Sequence, residues 1–500
     1  MSFSRRTVIA GFAHILAALP VAAAVKHPRG GSARARHGKR PIVSTEVPKL
    51  SGTALPIPPL IELRNGGTLE LTAGSLSHAF LPDKPLSVTG YNGIMPGPTV
   101  RLTRGETTKV HLANGLTRPT NVHWHGLIVD PNADAALIAI PPGDTWETTL
   151  IVDQPAATLW YHEHMLISPQ AGRGAGLLIV SDGSDVALGL PSTYGVDDFP
   201  IILDDTSFDA SGNPVDQPAA DAALIGTRGN TILVNGVADA LLKVPQKRVR
   251  LRLLNAARAR VFRLFMDDER SFQLIAGDGG YVPVPDEIDT LILAPGERAE
   301  IIVDFADGST SLLSTPDDVA IRSGAEGTDV VHHPDSFEKQ FRVLGFDAFK
   351  DTSPQKPMPT QLPASPVPPV PDNVKHRRFE FNLHTTDGAP GIVATINGKT
   401  FDPARIDVNG ERGTTEIWQL VAPDMPHTVH IAGAQVHVLA QDGDTPRAWN
   451  RGPKDTIFVE NSIDIQVTFA LPAPAATPYV IESALPEHAA EGAIATVVVG

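Results

Sequence analysis

An Asn-Gly dipeptide followed by a strand-like run occurs three times in this chain, and this repeat constrains the fold more than any other feature. The copies are Asn92-Gly93 ahead of Thr99–Leu112, Asn235-Gly236 ahead of Arg248–Asn255, and Asn397-Gly398 ahead of Thr414–Val421. Asn-Gly is the preferred dipeptide of tight turns that need positive φ at both positions. The spacing between copies suits one β-sandwich each, and three sandwiches fit a chain of 500 residues. Proline (45) and glycine (43) break the Val/Ile/Thr-rich runs into short strands. Leu291–Phe305 reads as strand–turn–strand around Pro295-Gly296. The expected class is all-β, with three Greek-key sandwiches at 50–190, 195–345 and 375–500, and a proline-rich extended linker over 346–374.

The N-terminus reads as an export signal. Ser4-Arg5-Arg6-Thr7-Val8-Ile9 opens it, an apolar stretch runs from Gly11 to Ala24, and Ala22-Ala23-Ala24 offers a small-residue cleavage site. The twin arginine points to Tat export and a periplasmic location. The apolar stretch is short and interrupted by His14 and Pro20, so stable membrane insertion after cleavage is not expected. Residues 25–49 are basic and expected to be disordered. A net charge of −15 argues against nucleic-acid partners. Other periplasmic proteins are the partners left open.

Two segments carry metal chemistry: Asn121-Val-His-Trp-His-Gly126 and Leu159-Trp-Tyr-His-Glu-His164. On a strand, residues two apart share a face, so each His-x-His pair aims two imidazoles the same way. Four nitrogen donors around one pocket suit copper or zinc rather than calcium or magnesium. The chain has no cysteine, so neither a disulfide nor a thiolate–metal bond can form.

At these residues the chain resembles the multicopper oxidases, laccase-like copper proteins built from cupredoxin domains. Asn92–Thr99 is similar to the family's N-G-x-x-P-G-P-T signature, and Ile140–Gly143 with Asp153–Tyr161 to the approach to its second His-x-His. The resemblance implies eight histidines around a three-copper cluster, plus an outer electron-accepting copper held by two His and one Cys. The third-domain pattern H-P-x-H-x-H-G is read here as His427-Thr-Val-His430-Ile-Ala432-Gly433. The last motif, H-C-H-x-x-x-H with an axial Met, is read as Glu482-Ser483-Ala484-Leu-Pro-Glu-His488, with Ala493 at the Met position. His427 and His488 thus match the outer copper's imidazoles, but Ser483 replaces its thiolate and Ala493 its axial ligand.

By the same resemblance, His123 and His430 share one copper position, which implies side-chain nitrogens within roughly 5 Å of each other. A second position keeps His125 and His162, with Glu482 as its third ligand. The remaining position keeps only His164, opposite Ala432 and Ala484. One or two ions, copper first, are expected at this remnant. The oxidoreductase activity of laccases is not expected, because the electron path through the Cys and its two flanking His is missing.

The family also contains a copper-free, Tat-exported branch that serves cell division at the septal ring. This chain is similar to that branch at Tyr194–Pro200, Arg248–Asn255, Ala294–Arg298 and Gly452–Thr456. It departs from the branch by keeping both first-domain His-x-His pairs. Two functions therefore stand open: a residual metal protein, and a structural protein acting through its surface.

Overall fold

A computed structural model describes residues 50–500 apart from 165–173, 324–328, 352 and 386–391. The export signal and the basic segment expected before residue 50 lie outside the described residues. The regular elements of the described chain are almost all strands, and it adopts the expected all-β class of three cupredoxin-like sandwiches. None of its helices is long and apolar enough to cross a membrane.

In the first sandwich, a five-stranded sheet runs in the order Leu60–Glu62, Thr99–Thr103, Ala175–Ser181, Ala157–His162, His123–His125. Its partner sheet runs Lys84–Tyr91, Thr68–Leu81, Thr107–Asn114, Thr145–Ile151. Leu71, Val110, Trp124, Leu159 and Tyr161 fill the space between them. The second sandwich packs a six-stranded against a seven-stranded sheet around Leu251, Leu253, Phe262, Ile301 and Phe346. Thr53–Ala54, at the start of the described chain, pairs in parallel with Ala240–Leu241 of this second sandwich. The third consists of two five-stranded sheets around Phe381, Trp418, Ile431 and Ile465. After Phe341–Ala348 the chain runs without strands to Lys375. Within that stretch the Leu362 N–H donates to Pro283 O at 3.0 Å and the Pro368 carbonyl accepts from Gln466 Nε2 at 2.7 Å, so it is docked along its way.

The three Asn-Gly elements do the same work in each sandwich. Their φ pairs are 52° and 74°, 48° and 78°, and 53° and 72°, the left-handed pair that this dipeptide tolerates best. Each Asn side chain also bonds the backbone of two residues that lie two apart. Asn92 accepts from Thr72 N and donates to Glu70 O. Asn235 accepts from Ile202 N and donates to Pro200 O. Asn397 accepts from Glu380 N and donates to Arg378 O. A chance recurrence of a common turn would not reproduce that pattern.

Five strands carry the site, and we number them β1 (His123–His125), β2 (Ala157–His162), β3 (His427–Ile431), β4 (Thr456–Val459) and β5 (Tyr479–Ser483). β1 pairs antiparallel with β2, which sets His123 opposite His162. β3 lies between β4 and β5, which sets His430 between Thr456 and Glu482.

Candidate metal centre

Period-2 alternation explains the first pair. His123 and His125 point from one face of β1, while Trp124 points into the sandwich core and anchors the strand by donating from Nε1 to Ala133 O at 3.1 Å. His162 is the last residue of β2, stacked on Trp160 with ring centroids 3.9 Å apart. His164 lies beyond the strand's end, where Asn121 Oδ1 accepts from its backbone N–H at 2.8 Å. The second pair therefore owes its direction to a loop contact rather than to strand alternation.

His123, His125, His162 and His430 converge between the first and third sandwiches. His123 Nε2 lies 3.2 Å from His430 Nε2, well inside the expected limit. His125 Nδ1 lies 3.4 Å from His162 Nε2. With metal–nitrogen bonds of about 2.0–2.1 Å, tetrahedral ligand nitrogens sit roughly 3.3–3.4 Å apart, so both separations fit shared ligands. The donor atoms of His123, His125 and His162 also lie within 4.8 Å of one another.

The outer nitrogens show which way the lone pairs face. Asp134 Oδ2 accepts from His123 Nδ1 at 2.7 Å, the Glu163 carbonyl from His162 Nδ1 at 2.8 Å, and the Asp455 carbonyl from His430 Nδ1 at 3.1 Å. None of these oxygens carries a proton, so each of the three rings, when neutral, holds its proton outward and its Nε2 lone pair inward. Burial, reinforced by the neighbouring His430, pushes His125 well below the ordinary histidine range, and burial with His123 does the same to His162. Both are neutral donors near pH 7. Burial opposes protonation of His123 too, but the charge and hydrogen bond of Asp134 outweigh it and hold His123 above its ordinary value. The donor set, nitrogen-rich with carboxylate and carbonyl second partners, fits copper or zinc.

Glu482 occupies a different place from the one the family pattern implies. It was expected beside His125 and His162, but its Oε1 is 2.9 Å from His164 Nε2, the histidine left opposite alanines. Glu482 pairs with His430 between β5 and β3, and its charge also acts on His162. Burial works against its charge, but His164, and then His430 and His123, pull its carboxyl down to about 2. A cavity of about 140 Å³ borders His125, His162, His164, His430, Glu482 and Ala484.

His427 and His488 form a separate, fully buried pair with ring centroids 5.1 Å apart. Among the described residues neither nitrogen of His427 has a hydrogen-bond partner, and His488 meets backbone only, with the Leu224 carbonyl 3.2 Å from Nε2. They do not join the junction cluster.

Sequence reasoning missed Asp134, Asp455 and Thr456 as parts of the site. Asp455-Thr456 had a signal, since it ends the Gly452–Thr456 run; Asp134 had none. Asp455 is gripped by Arg298 of the second sandwich, whose Nη1 donates to Oδ1 at 2.7 Å and whose Nη2 donates to Oδ2. Lys454 is buried with Glu297 at 2.8 Å and Asp278 at 3.0 Å. The two singled-out runs, Ala294–Arg298 and Gly452–Thr456, thus face each other and bring all three sandwiches to the cluster. Gly126, at φ 88°, lets the Arg298–Asp455 pair through: a Cβ there would stand 2.4 Å from Arg298 Nη2.

Multicopper oxidase family models match residues 75–185, 197–312 and 363–500. The chain belongs to the multicopper oxidase family. It is 36% identical to the cell division protein FtsP of Edwardsiella tarda (strain FL6-60), over 89% of this chain and 92% of that protein. It is 34% identical to FtsP of Escherichia coli (strain K12), again over 89% and 92%. Among solved structures, it is similar to a laccase-like multicopper oxidase, CueO, from Ochrobactrum sp., with 33% identity and a TM-score of 0.77 over 89% of this chain and 100% of that one. It is likewise similar to McoA from Aquifex aeolicus, with 27% identity and a TM-score of 0.76 over 90% and 100%. Within the multicopper oxidases this chain lacks the means to build a type 1 copper, because it has no cysteine.

Proposed function

We propose that this multicopper oxidase relative is a Tat-exported periplasmic protein that binds one or two transition-metal ions, copper first, at the junction of its first and third sandwiches. The observation that carries this reading is the inward orientation of the imidazoles. His123 Nε2 faces His430 Nε2 at 3.2 Å, and His125 Nδ1 faces His162 Nε2 at 3.4 Å. Where both facing nitrogens carry lone pairs, they repel unless a proton, another donor or a metal ion relieves them. Bound copper would supply a Lewis-acid and one-electron centre, and bound zinc a Lewis acid alone. The chain's part is to hold it: Asp134, the Glu163 carbonyl and the Asp455 carbonyl fix the rings, and Glu482 adds negative charge beside His164. Serine at 483 keeps its proton near neutral pH and cannot act as a soft ligand. Laccase-type reduction of oxygen therefore has no electron entry here. Metal analysis of the protein purified from the periplasm tests the reading: copper or zinc near one or two per chain supports it, and metal-free protein sinks it.

A second reading is a structural role in cell division through periplasmic protein partners. It is favoured by the names of the relatives at 36% and 34% identity. The two readings separate if the His123→Ala/His430→Ala protein is tested for support of division. Retained support places the function on the surface; lost support, with the variant folded, places it at the metal.

A further inference from the structure

The second partner of His125 differs from those of the other three rings, and the difference points to a positioning residue. His123, His162 and His430 each face an oxygen that can only accept, although His430 Nδ1 also lies 3.3 Å from the Thr456 hydroxyl. His125 Nε2 faces the Thr456 hydroxyl, at 2.7 Å, and a hydroxyl can donate or accept. Asp455 Oδ1 lies farther from the same nitrogen, at 3.4 Å, so the hydroxyl is the nearer partner and by itself leaves the tautomer open. The next contact decides it. Thr456 Oγ1 lies 2.8 Å from Asp455 Oδ1, and that carboxylate is held at both oxygens by Arg298. A buried carboxylate paired with arginine accepts only, so the threonine proton goes to Asp455 and the hydroxyl's lone pair is left for His125. Thr456 has no exposed surface, and its backbone is fixed by pairing with His430 on β3, so it has little room to turn elsewhere.

We propose that Thr456, with its hydroxyl proton committed to the Arg298–Asp455 pair, is the residue that sets the tautomer of His125 and so turns that ring's Nδ1 lone pair toward His162. The effect on metal binding rests on the proposed function; the tautomer itself does not. Arg298 comes from the second sandwich, Asp455 and Thr456 from the third and His125 from the first. The chain of contacts thus makes one imidazole's donor atom depend on the docking of all three.

The test reads both levels. Nitrogen–proton correlation spectra of the metal-free parent, labelled at histidine, give each ring's tautomer directly. His125 is expected to carry its proton on Nε2. Thr456→Val keeps the side-chain shape but removes the acceptor, and Thr456→Ser restores it. Thr456→Val is expected to populate the opposite tautomer and to weaken Zn(II) and Cu(II) binding, each added alone, about ten- to hundredfold, the range for loss of an outer partner. Thr456→Ser is expected to return both properties close to the parent. A parent His125 protonated on Nδ1, or a Thr456→Val protein with the parent's tautomer and affinities, overturns the proposal. If Thr456→Val does not fold, the parent spectrum still decides. A parent that binds neither metal yet shows the Nε2–H tautomer, switched by valine and restored by serine, supports the positioning role and defeats the metal reading.

Discussion

The molecule contains two groups of buried histidines, and they are built in opposite ways. At the sandwich junction each of His123, His125, His162 and His430 has an oxygen on its outer nitrogen and another imidazole on its inner one. At the outer position neither nitrogen of His427 has a hydrogen-bond partner among the described residues, and His488 meets backbone only. Burial alone does not mark a binding site. What separates the two groups is the set of acceptors that fixes each ring, because those acceptors are what leave a lone pair aimed at a common point. On the family pattern Ser483 and Ala493 stand where the thiolate and the axial ligand would be, and the buried outer rings are held neutral.

The largest expected contrast is all-or-none. Copper-loaded parent protein should show no intense copper–thiolate absorption and no metal-dependent oxidation of phenols, since no thiolate exists. Ser483→Cys should give the outer pair its missing ligand and a strong visible band with Cu(II), while leaving junction binding intact. A colourless Ser483→Cys protein that still binds copper at the junction would show that the outer rings have lost ligand geometry as well as the thiolate.

Acid should strike the outer pair next. Burial holds His488 down to about 4, and burial with His488 beside it holds His427 well below its ordinary value. In the unfolded chain these rings protonate near pH 6.5. Between about 6.5 and 4 the unfolded state binds more protons, so their contribution to stability is present above 6.5 and is lost as pH falls toward 4. For His488 the loss is on the order of 3 kcal/mol. Denaturant unfolding across this window checks it: His488→Leu should flatten the slope, and an unchanged slope would contradict it.

Metal linkage should strike the junction by a similar amount. At a free Zn(II) or Cu(II) concentration a hundredfold above the dissociation constant, stability should rise by about 2.7 kcal/mol. His123→Ala/His430→Ala should remove the gain, read as a melting shift, and His427→Ala/His488→Ala should keep it. The smallest contrast is one of sign. His427→Leu replaces an unpartnered polar ring with an apolar side chain and should be neutral or stabilising by up to about 1 kcal/mol. His123→Leu strands Asp134 and should cost about 1–3 kcal/mol in metal-free protein. Equal losses at both positions would erase the distinction between the two groups.

The three-sandwich architecture was legible because Asn-Gly turns are local: Asn92, Asn235 and Asn397 need nothing distant to adopt positive φ. The His-x-His of β1 was legible for the same reason, since strand alternation carries it. His430 was found through its family pattern, and its partner His123 lies where that pattern implies. The place of Glu482 was not legible, because its contact with His164 joins two sandwiches and no local pattern reaches across them. Asp134 is a lone carboxylate on a loop, without a pattern around it. Thr456 gains its role from Arg298, 158 residues away in another sandwich, and no local rule reaches that far.

The central claim is that the junction histidines form a metal site and the outer pair does not. Calorimetric titration of the metal-free parent, His123→Ala/His430→Ala and His427→Ala/His488→Ala proteins with Zn(II), and separately with Cu(II), tests it most directly. The account expects parent and outer-pair variant to bind alike and the junction variant to lose binding. A parent that takes up neither metal, or a junction variant that binds as the parent does, would contradict it.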